Sequence, residues 1–126
     1  ERRLEDTIRF IGTADDINNY LQAMDLMLLP SLYEGFPVTV VEWQANGLPC
    51  IVSDTITKDV KITDLVKQLS IEDGTTIWKN EILKHNNEVD VETRKSYYIK
   101  VSKAGYNIKN NVSSLKEHYI ERLGDN

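Results

Sequence analysis

Short apolar runs alternate with helical segments through the first half of the sequence, and this alternation restricts the fold more than any other feature. Leu26–Leu29 and Cys50–Val52 are apolar runs of strand length, which is typical of strands buried on both faces of a sheet. Ile8–Ile11, closed by Gly12, is predicted to form an earlier strand, and Val66–Leu69 a later one. Because strands and helices alternate with short connections, the sequence predicts an α/β fold, a Rossmann-like parallel sheet with helices on both faces.

The helical segments carry start and stop signals. Asp15 and Asp16 supply a capping oxygen and acidic charge at the start of the first helix. The second helix ends at Asn46–Pro49, through glycine and proline. Apolar stripes at helical spacing are predicted for Ile17, Tyr20, Leu21 and Met24, for Val38, Val41 and Ala45, and for Ile108, Val112, Leu115, Tyr119 and Leu123, with further helices over 74–83 and 90–104.

Charge and cysteine content exclude several classes of protein. The net charge of -5 argues against a nucleic-acid surface, which normally shows a basic excess. The single cysteine, Cys50, cannot form an internal disulfide, so a reducing, cytoplasmic setting is expected. No apolar stretch is long enough to span a membrane. The 126 residues suffice for one domain, but the predicted strands are few for a complete sheet of this kind. We therefore expect residues 1–126 to be one partial domain, truncated at its N-terminus, of a larger protein.

The stretch Pro30–Glu42 joins the end of a strand to the start of a helix and is the strongest candidate for a functional site. A helix N-terminus has unpaired amide hydrogens and a partial positive charge, which suit a phosphate group. Gly35 would let a ligand approach the backbone closely. The candidate amide donors are those of Phe36, Val38 and Thr39.

Two carboxylates, Glu34 and Glu42, bracket this helix start with seven residues between them. Carboxylates accept hydrogen bonds from hydroxyl groups, so the hydroxyls of a sugar or a ribose are suitable partners. An anion site beside two hydroxyl acceptors indicates a nucleotide sugar. In parallel sheets ligands bind beyond the carboxyl ends of the strands, where Gly12 and the loop Ser53–Thr55 are also expected. The spacing of two glutamates is not specific by itself, and a pair of ordinary surface carboxylates is the alternative.

Other side chains offer weaker candidates for a site. Cys50, the tryptophans and the tyrosines are interpreted as packing residues. His85 and His118 lie in polar surroundings far apart in the sequence, which does not favour a metal site or a catalytic triad. The lysines of the C-terminal helices are interpreted as a solvated face, with a peripheral contact to an anionic membrane as the alternative. These are Lys95, Lys100, Lys103 and Lys109.

Several motifs of this region occur in register with those of a known family. They are Phe10-Ile11-Gly12, Asp15-Asp16-Ile17, Ala23-Met24-Asp25, Leu29–Pro37, Val41-Glu42 and Gly47-Leu48-Pro49. Over roughly Ile8–Leu69 the chain resembles the C-terminal, donor-binding domain of the retaining family 4 (group 1) glycosyltransferases, which have the GT-B architecture. The segment from Gly47 to Thr57 is similar to that of bacterial capsular and exopolysaccharide glycosyltransferases. The resemblance implies transfer of a hexose-type sugar from a nucleotide-sugar donor to a polysaccharide or lipid-linked acceptor.

The resemblance also implies a role for each residue that matches a family motif. Glu34 would contact the hydroxyls of the donor sugar and act as the catalytic residue, and Glu42 would hold the ribose hydroxyls. The remaining donor-binding residues would be Ser31 in the same loop, Gly35 and Phe36 against the sugar and diphosphate, Val38, Thr39 and Val40 through amides to phosphate, and Gly12 and Thr13 near the base. A UDP-sugar is expected in preference to a GDP-sugar. No further cofactor and no bound metal are expected, because the helix dipole and basic side chains would neutralise the leaving diphosphate.

One departure from the family pattern limits these expectations. The arginine and lysine that clamp the phosphates lie before the strand predicted to start at Ile8, and no residue of this chain matches them. The acceptor would bind to the missing N-terminal domain, so the chain alone is not expected to catalyse transfer. We expect it in the cytoplasm, with the inner face of the cell membrane as a second location. Two other classes stay open: a nucleotide-sugar epimerase with a similar two-domain fold, and a non-catalytic α/β interaction module such as a phosphoacceptor domain.

Overall fold

A parallel sheet forms the centre of the fold. The computed structural model describes residues 4–85 and 89–124, and the described residues contain three strands: β1 (Met27–Leu29), β2 (Cys50–Ser53) and β3 (Val66–Leu69). The strands lie side by side in sequence order and all run parallel, so that Leu28 pairs with Ile51, and Ile51 with Lys67. The predicted Rossmann-like α/β class is confirmed.

Helices connect and flank these strands. They are α1 (Ile17–Gln22), α2 (Val38–Ala45), a short 3₁₀ helix (Lys58–Val60), α3 (Gly74–Ile82), α4 (Val91–Lys103) and α5 (Ile108–Gly124). Asp16 caps α1, because its Oδ1 accepts the amide hydrogen of Asn19 at 3.2 Å. Asp90 caps α4 and accepts the amide hydrogen of Thr93 at 3.0 Å. Hydrogen bonds from the hydroxyl and amide of Thr93 also hold the pKa of the Asp90 carboxyl below its usual value.

The core lies between the sheet and α2. Val40, Leu48 and Val52 are fully buried there, and α2 packs on its other side against α4. Cys50 is also buried, and its Sγ donates to the carbonyl oxygen of Leu48 at 3.1 Å. Burial raises the pKa of the Cys50 thiol to about 12. The side chain therefore stays protonated at neutral pH and packs as a small apolar residue, as predicted.

The strand predicted at Ile8–Ile11 does not form, so that prediction is wrong. The segment has no ladder partner among the described residues, and its side chains are exposed, that of Phe10 by 98%. A strand of this length needs both a hydrogen-bonded neighbour and a face to bury. The alternation of apolar and polar residues in the sequence guarantees neither a neighbouring strand nor a surface that covers the strand.

Two predicted burial patterns near the sheet also differ from the structure. β1 was expected to be buried on both faces, but Leu28 is 43% exposed, so the face of the sheet on which its side chain lies is not fully covered there. In α2 the predicted stripe began at Val38, which is 59% exposed. Because α2 packs against both the sheet and α4, its buried face is wider and lies elsewhere on the helix. It consists of Val40, Val41, Trp43 and Gln44.

The apolar stripes of α1 and α5 are less buried than their periodicity suggests. In α1 only Leu21 is buried. In α5 each of the five predicted residues is at least 54% exposed, because a periodic stripe shows which side of a helix is apolar but supplies no partner for it. Within the described part of the chain, no helix combines the length and the apolar character that crossing a membrane requires.

Candidate functional site

The loops that follow β1 and β2 meet at the carboxyl edge of the sheet. Thr55 Oγ1 donates to the carbonyl oxygen of Ser31 at 2.8 Å, and Ser53 Oγ donates to the same oxygen. The two hydroxyl oxygens are 2.9 Å apart. Ser31 Oγ in turn donates to the carbonyl oxygen of Tyr33 at 3.1 Å. The loop that carries Glu34 is therefore fastened to the neighbouring loop at two hydroxyl groups.

Helix α2 begins at this edge with unused hydrogen-bond donors. Pro37 is the N-cap residue and supplies no side-chain hydrogen bond. The amide of Val40 donates to the carbonyl oxygen of Pro37 at 3.0 Å. The amides of Val38 and Thr39 have no backbone acceptor among the described residues, as is usual for the first turn of a helix. These two amides can donate to a ligand, whereas that of Val40 is already engaged.

The two glutamates lie on either side of this helix start. Glu34 is half-buried in the loop before Pro37. Glu42 is exposed, and because it follows Val38 by four residues it lies on the same exposed face of α2, about 6 Å farther along the axis. Its carboxylate can therefore reach a ligand that also contacts the first turn of the helix. The two carboxylates and the free amides together suit a ligand with both phosphate and hydroxyl groups.

An aromatic pair lies next to this helix start. The ring of Phe36 stacks on that of Tyr106, with centroids 6.2 Å apart and planes 1° from parallel. Tyr106 was not singled out as a site residue, and no spacing signal could have done so, because it lies 70 residues from Phe36 and meets it only in the folded chain. Beside this pair, a Cβ added to Gly35 would have no atom within 4 Å. The backbone at Gly35 is open to an approaching ligand.

Gly12 and Thr13 are not joined to this edge by any hydrogen bond in the described residues. Both are exposed, and Gly12 has a left-handed backbone with φ +68° and open space around it. The predicted place of Gly12 at the end of a strand is wrong, because Ile8–Ile11 is not a strand. The contact of Gly12 and Thr13 with a nucleotide base stays a prediction.

A cavity of about 580 Å³ lies away from the carboxyl edge, beside the end of α2 and the start of α4. One of its charged groups, the Arg94 guanidinium, donates to the carbonyl oxygens of Leu21 at 3.4 Å and Met24 at 2.7 Å. The guanidinium thus pairs with carbonyl oxygens at the C-terminal end of α1. Among the described residues no group of three or more histidine, cysteine, aspartate or glutamate side chains could hold a metal ion.

Comparison with known proteins identifies relatives along almost the whole chain. The family model described as "Glycosyl transferases group 1" matches residues 1–84. The putative glycosyltransferase EpsF of Bacillus subtilis is 35% identical over 122 residues, which cover 94% of this chain and 31% of that protein. The UDP-Gal:alpha-D-GlcNAc-diphosphoundecaprenol alpha-1,3-galactosyltransferase of Escherichia coli is 34% identical over 130 aligned positions, covering 98% of this chain and 32% of that protein.

A third relative matches a shorter part of the chain. The N,N'-diacetylbacillosaminyl-diphospho-undecaprenol alpha-1,3-N-acetylgalactosaminyltransferase of Campylobacter jejuni is 45% identical over 47 residues, which cover 37% of this chain and 12% of that protein. The chain spans about a third of the length of the two relatives that match it almost throughout. No solved structure matches the chain.

Proposed function

The chain belongs to the group 1 glycosyltransferases, and from that membership we propose that it is the donor-binding part of a retaining bacterial transferase, the C-terminal half of a GT-B fold. Its donor is a nucleotide sugar, a UDP-sugar in preference to a GDP-sugar. Its acceptor is a polysaccharide or a lipid-linked saccharide bound by other parts of the protein. The names of two relatives, which include a diphospho-undecaprenol group, support this acceptor class.

The proposal rests on one observation: the first turn of α2 has two backbone amides without an acceptor in the described part of the chain, and the same face of the helix carries an exposed carboxylate. The amides of Val38 and Thr39 have no backbone acceptor in the described residues, and Glu42 lies on the same exposed face of the helix. Phosphate would accept from the amides and gain from the positive end of the helix dipole. The ribose hydroxyls would donate to Glu42, whose charge strengthens such hydrogen bonds.

The same arrangement suits the chemistry of transfer. When the bond between the anomeric carbon and the phosphate oxygen breaks, negative charge develops on the leaving diphosphate. Fixed donors and a helix dipole aimed at that charge stabilise it more than they stabilise the intact donor. Glu34, in the loop immediately before α2, would hold the sugar hydroxyls so that the anomeric carbon faces the acceptor.

We expect the substitution Glu42→Gln to weaken binding of both the nucleotide sugar and the free nucleoside diphosphate about tenfold, because charge-assisted hydrogen bonds to the ribose are replaced by neutral ones. Isothermal titration with UDP-, GDP- and ADP-sugars first identifies the preferred donor. Titration of the variant with that donor and with its nucleoside diphosphate then measures the loss.

Two further variants make this experiment specific. Glu117→Gln removes an exposed carboxylate from α5 and is expected to leave both affinities unchanged. Glu34→Gln is expected to weaken binding of the nucleotide sugar alone, since its proposed contact is with the sugar. Undiminished affinity in Glu42→Gln would contradict the ribose contact. A wild-type chain that binds no member of the panel would contradict donor binding itself.

A further inference from the structure

The carbonyl oxygen of Ser31 receives two hydroxyl groups from another loop. Thr55 Oγ1 lies 2.8 Å from it, and Ser53 Oγ also contacts it. Each hydroxyl has a single proton, so when both are donated to the Ser31 carbonyl oxygen no proton remains for a bond between the two hydroxyl oxygens, which are 2.9 Å apart. The carbonyl oxygen has two lone pairs and can accept both protons at once. Ser31 is thus held by a paired hydroxyl contact rather than a single bond.

This contact is anchored on the sheet at both ends. Ser53 is the last residue of β2 and is fully buried, and the amide of Asp54 donates to the carbonyl oxygen of Leu69 at the end of β3 at 2.9 Å. Ser31 follows β1 by only one intervening residue, Pro30. The hydroxyl pair therefore ties the loop after β1, which otherwise lies on the surface, to the end of a strand in the sheet.

The held carbonyl lies three residues before Glu34. Between them, the bond from Ser31 Oγ to the carbonyl oxygen of Tyr33 turns the loop back on itself. The loop is therefore restrained on the N-terminal side of Glu34 at Ser31. On the C-terminal side of Glu34 it is restrained at Pro37, where α2 starts. The Leu32 and Tyr33 side chains, 77% and 87% exposed, contribute little packing of their own. Among the described residues, the hydroxyl pair makes the only hydrogen bonds between residues 31–36 and another segment of the chain.

We propose that Thr55, together with Ser53, is a positioning residue for the donor sugar, acting through the Ser31 carbonyl to hold Glu34 beside the start of α2. This inference rests on the proposed donor-binding function and deepens it. Ser53 is buried where β2 ends, so its hydroxyl also serves the fold. Thr55 is exposed, and its hydroxyl adds a second donor to an oxygen that Ser53 already satisfies. The Thr55 hydroxyl therefore contributes by restraining the conformation of the loop.

The role predicts selective loss of sugar recognition. In Thr55→Val the hydroxyl is replaced by a methyl group of similar size, and we expect affinity for UDP-galactose, or for the tightest-binding nucleotide sugar of the panel, to fall about fivefold. Affinity for the corresponding nucleoside diphosphate, which does not reach Glu34, should stay within about twofold. Thr55→Ser keeps the hydroxyl and should retain both affinities.

Backbone NMR relaxation gives a readout that needs no ligand. Amide order parameters of residues 32–36 should be lower in Thr55→Val than in the wild type or in Thr55→Ser, because order parameters report the fast motion of the backbone. Unchanged order parameters in the valine variant, or equal losses for the nucleotide sugar and the nucleoside diphosphate, would overturn the positioning role and leave the donor site standing. A wild-type chain that binds neither compound would overturn the donor site, and the positioning role with it.

Discussion

We expect the substitution Gly47→Ala to lower the free energy of unfolding by about 3 to 5 kcal/mol. Gly47 has φ +69°, in the left-handed region where a residue with a Cβ is strained. It ends α2 in a Schellman motif, in which its amide donates to the carbonyl oxygen of Gln44 and that of Leu48 donates to Trp43, both at 3.0 Å. The backbone cannot leave this conformation without losing both bonds.

Strain is only part of the cost, because α4 packs directly on this glycine. A Cβ built on Gly47 would lie 2.7 Å from the Cα of Arg94. That atom belongs to the backbone of α4 and cannot rotate away, so α4 would have to move off α2. The same movement would pull the Arg94 guanidinium from the carbonyl oxygens of Leu21 and Met24. The clash and the backbone strain therefore add to each other.

Gly105 supplies a matched control for this prediction. It ends α4 in the same motif, with its amide donating to Ser102 and that of Tyr106 to Val101, at φ +99°, but a Cβ there would have no atom within 4 Å. Gly105→Ala should cost about 1 to 2 kcal/mol, from backbone strain alone. Urea unfolding followed by circular dichroism measures both variants. Equal losses would mean that the close approach of α4 contributes nothing.

Local chemistry explains most of what the sequence predicted correctly about the fold. The cap at Asp16 and the end of α2 at a glycine depend on residues within a few positions of each other. The three strands found in the described residues and their parallel order follow from the spacing of apolar runs. The predictions that were wrong all required knowledge of a neighbour. Ile8–Ile11 has no strand beside it, and Val38 is on the exposed face because both the sheet and α4 contact other faces of α2.

For the candidate site, too, the sequence indicated the local stretch but not the distant residues that contact it. Glu34, Glu42 and the helix start lie within one continuous stretch, so periodicity and glycine chemistry were enough to single them out. The contacts that organise the stretch come from far along the chain. Thr55 reaches Ser31 across 24 residues, and Tyr106 reaches Phe36 across 70. No local pattern encodes such pairs, because they depend on the order in which strands and helices pack.

Gln44 is the second position where we expect a large effect, because it is a fully buried polar side chain that joins α2 to the segment before β3. Its Nε2 donates to the carbonyl oxygens of Val40 at 3.0 Å and Val60 at 2.8 Å. Its Oε1 accepts from both the amide, at 2.8 Å, and the hydroxyl, at 3.0 Å, of Thr63. All four hydrogen-bonding positions of the amide group are used, which is the condition under which a buried polar group is stable.

Gln44→Leu should therefore lower the free energy of unfolding by about 2 to 4 kcal/mol. The substitution keeps much of the volume but leaves the buried Thr63 amide without a partner, at about 1 to 3 kcal/mol. It also removes one of the two hydrogen bonds to the Val60 carbonyl oxygen, which still accepts from the amide of Ile62 at 2.9 Å, at about 1 kcal/mol. Gln68→Leu is the matched control, because the Nε2 of that partly buried glutamine donates to one carbonyl, that of Ile56, at 2.8 Å. It should cost about 1 kcal/mol. Equal losses in the two variants, measured by urea unfolding, would contradict the importance of the Gln44 network.

Gln44→Glu tests how the network responds when a group that can ionise replaces the neutral amide. Burial disfavours the carboxylate, so the pKa of the new glutamate should lie above its unfolded value of about 4.3 in the folded chain. A protonated carboxyl can still donate to Val60 and accept from Thr63, whereas a carboxylate would face the Val40 and Val60 carbonyl oxygens. Relative to the wild type, the variant should be least destabilised below about pH 4.3 and should lose stability as pH rises through the elevated folded-state pKa. A difference from the wild type that does not change between pH 4 and pH 8 would show that the site hydrates or rearranges to accept the charge, and that the network is not fixed by the packing of α2.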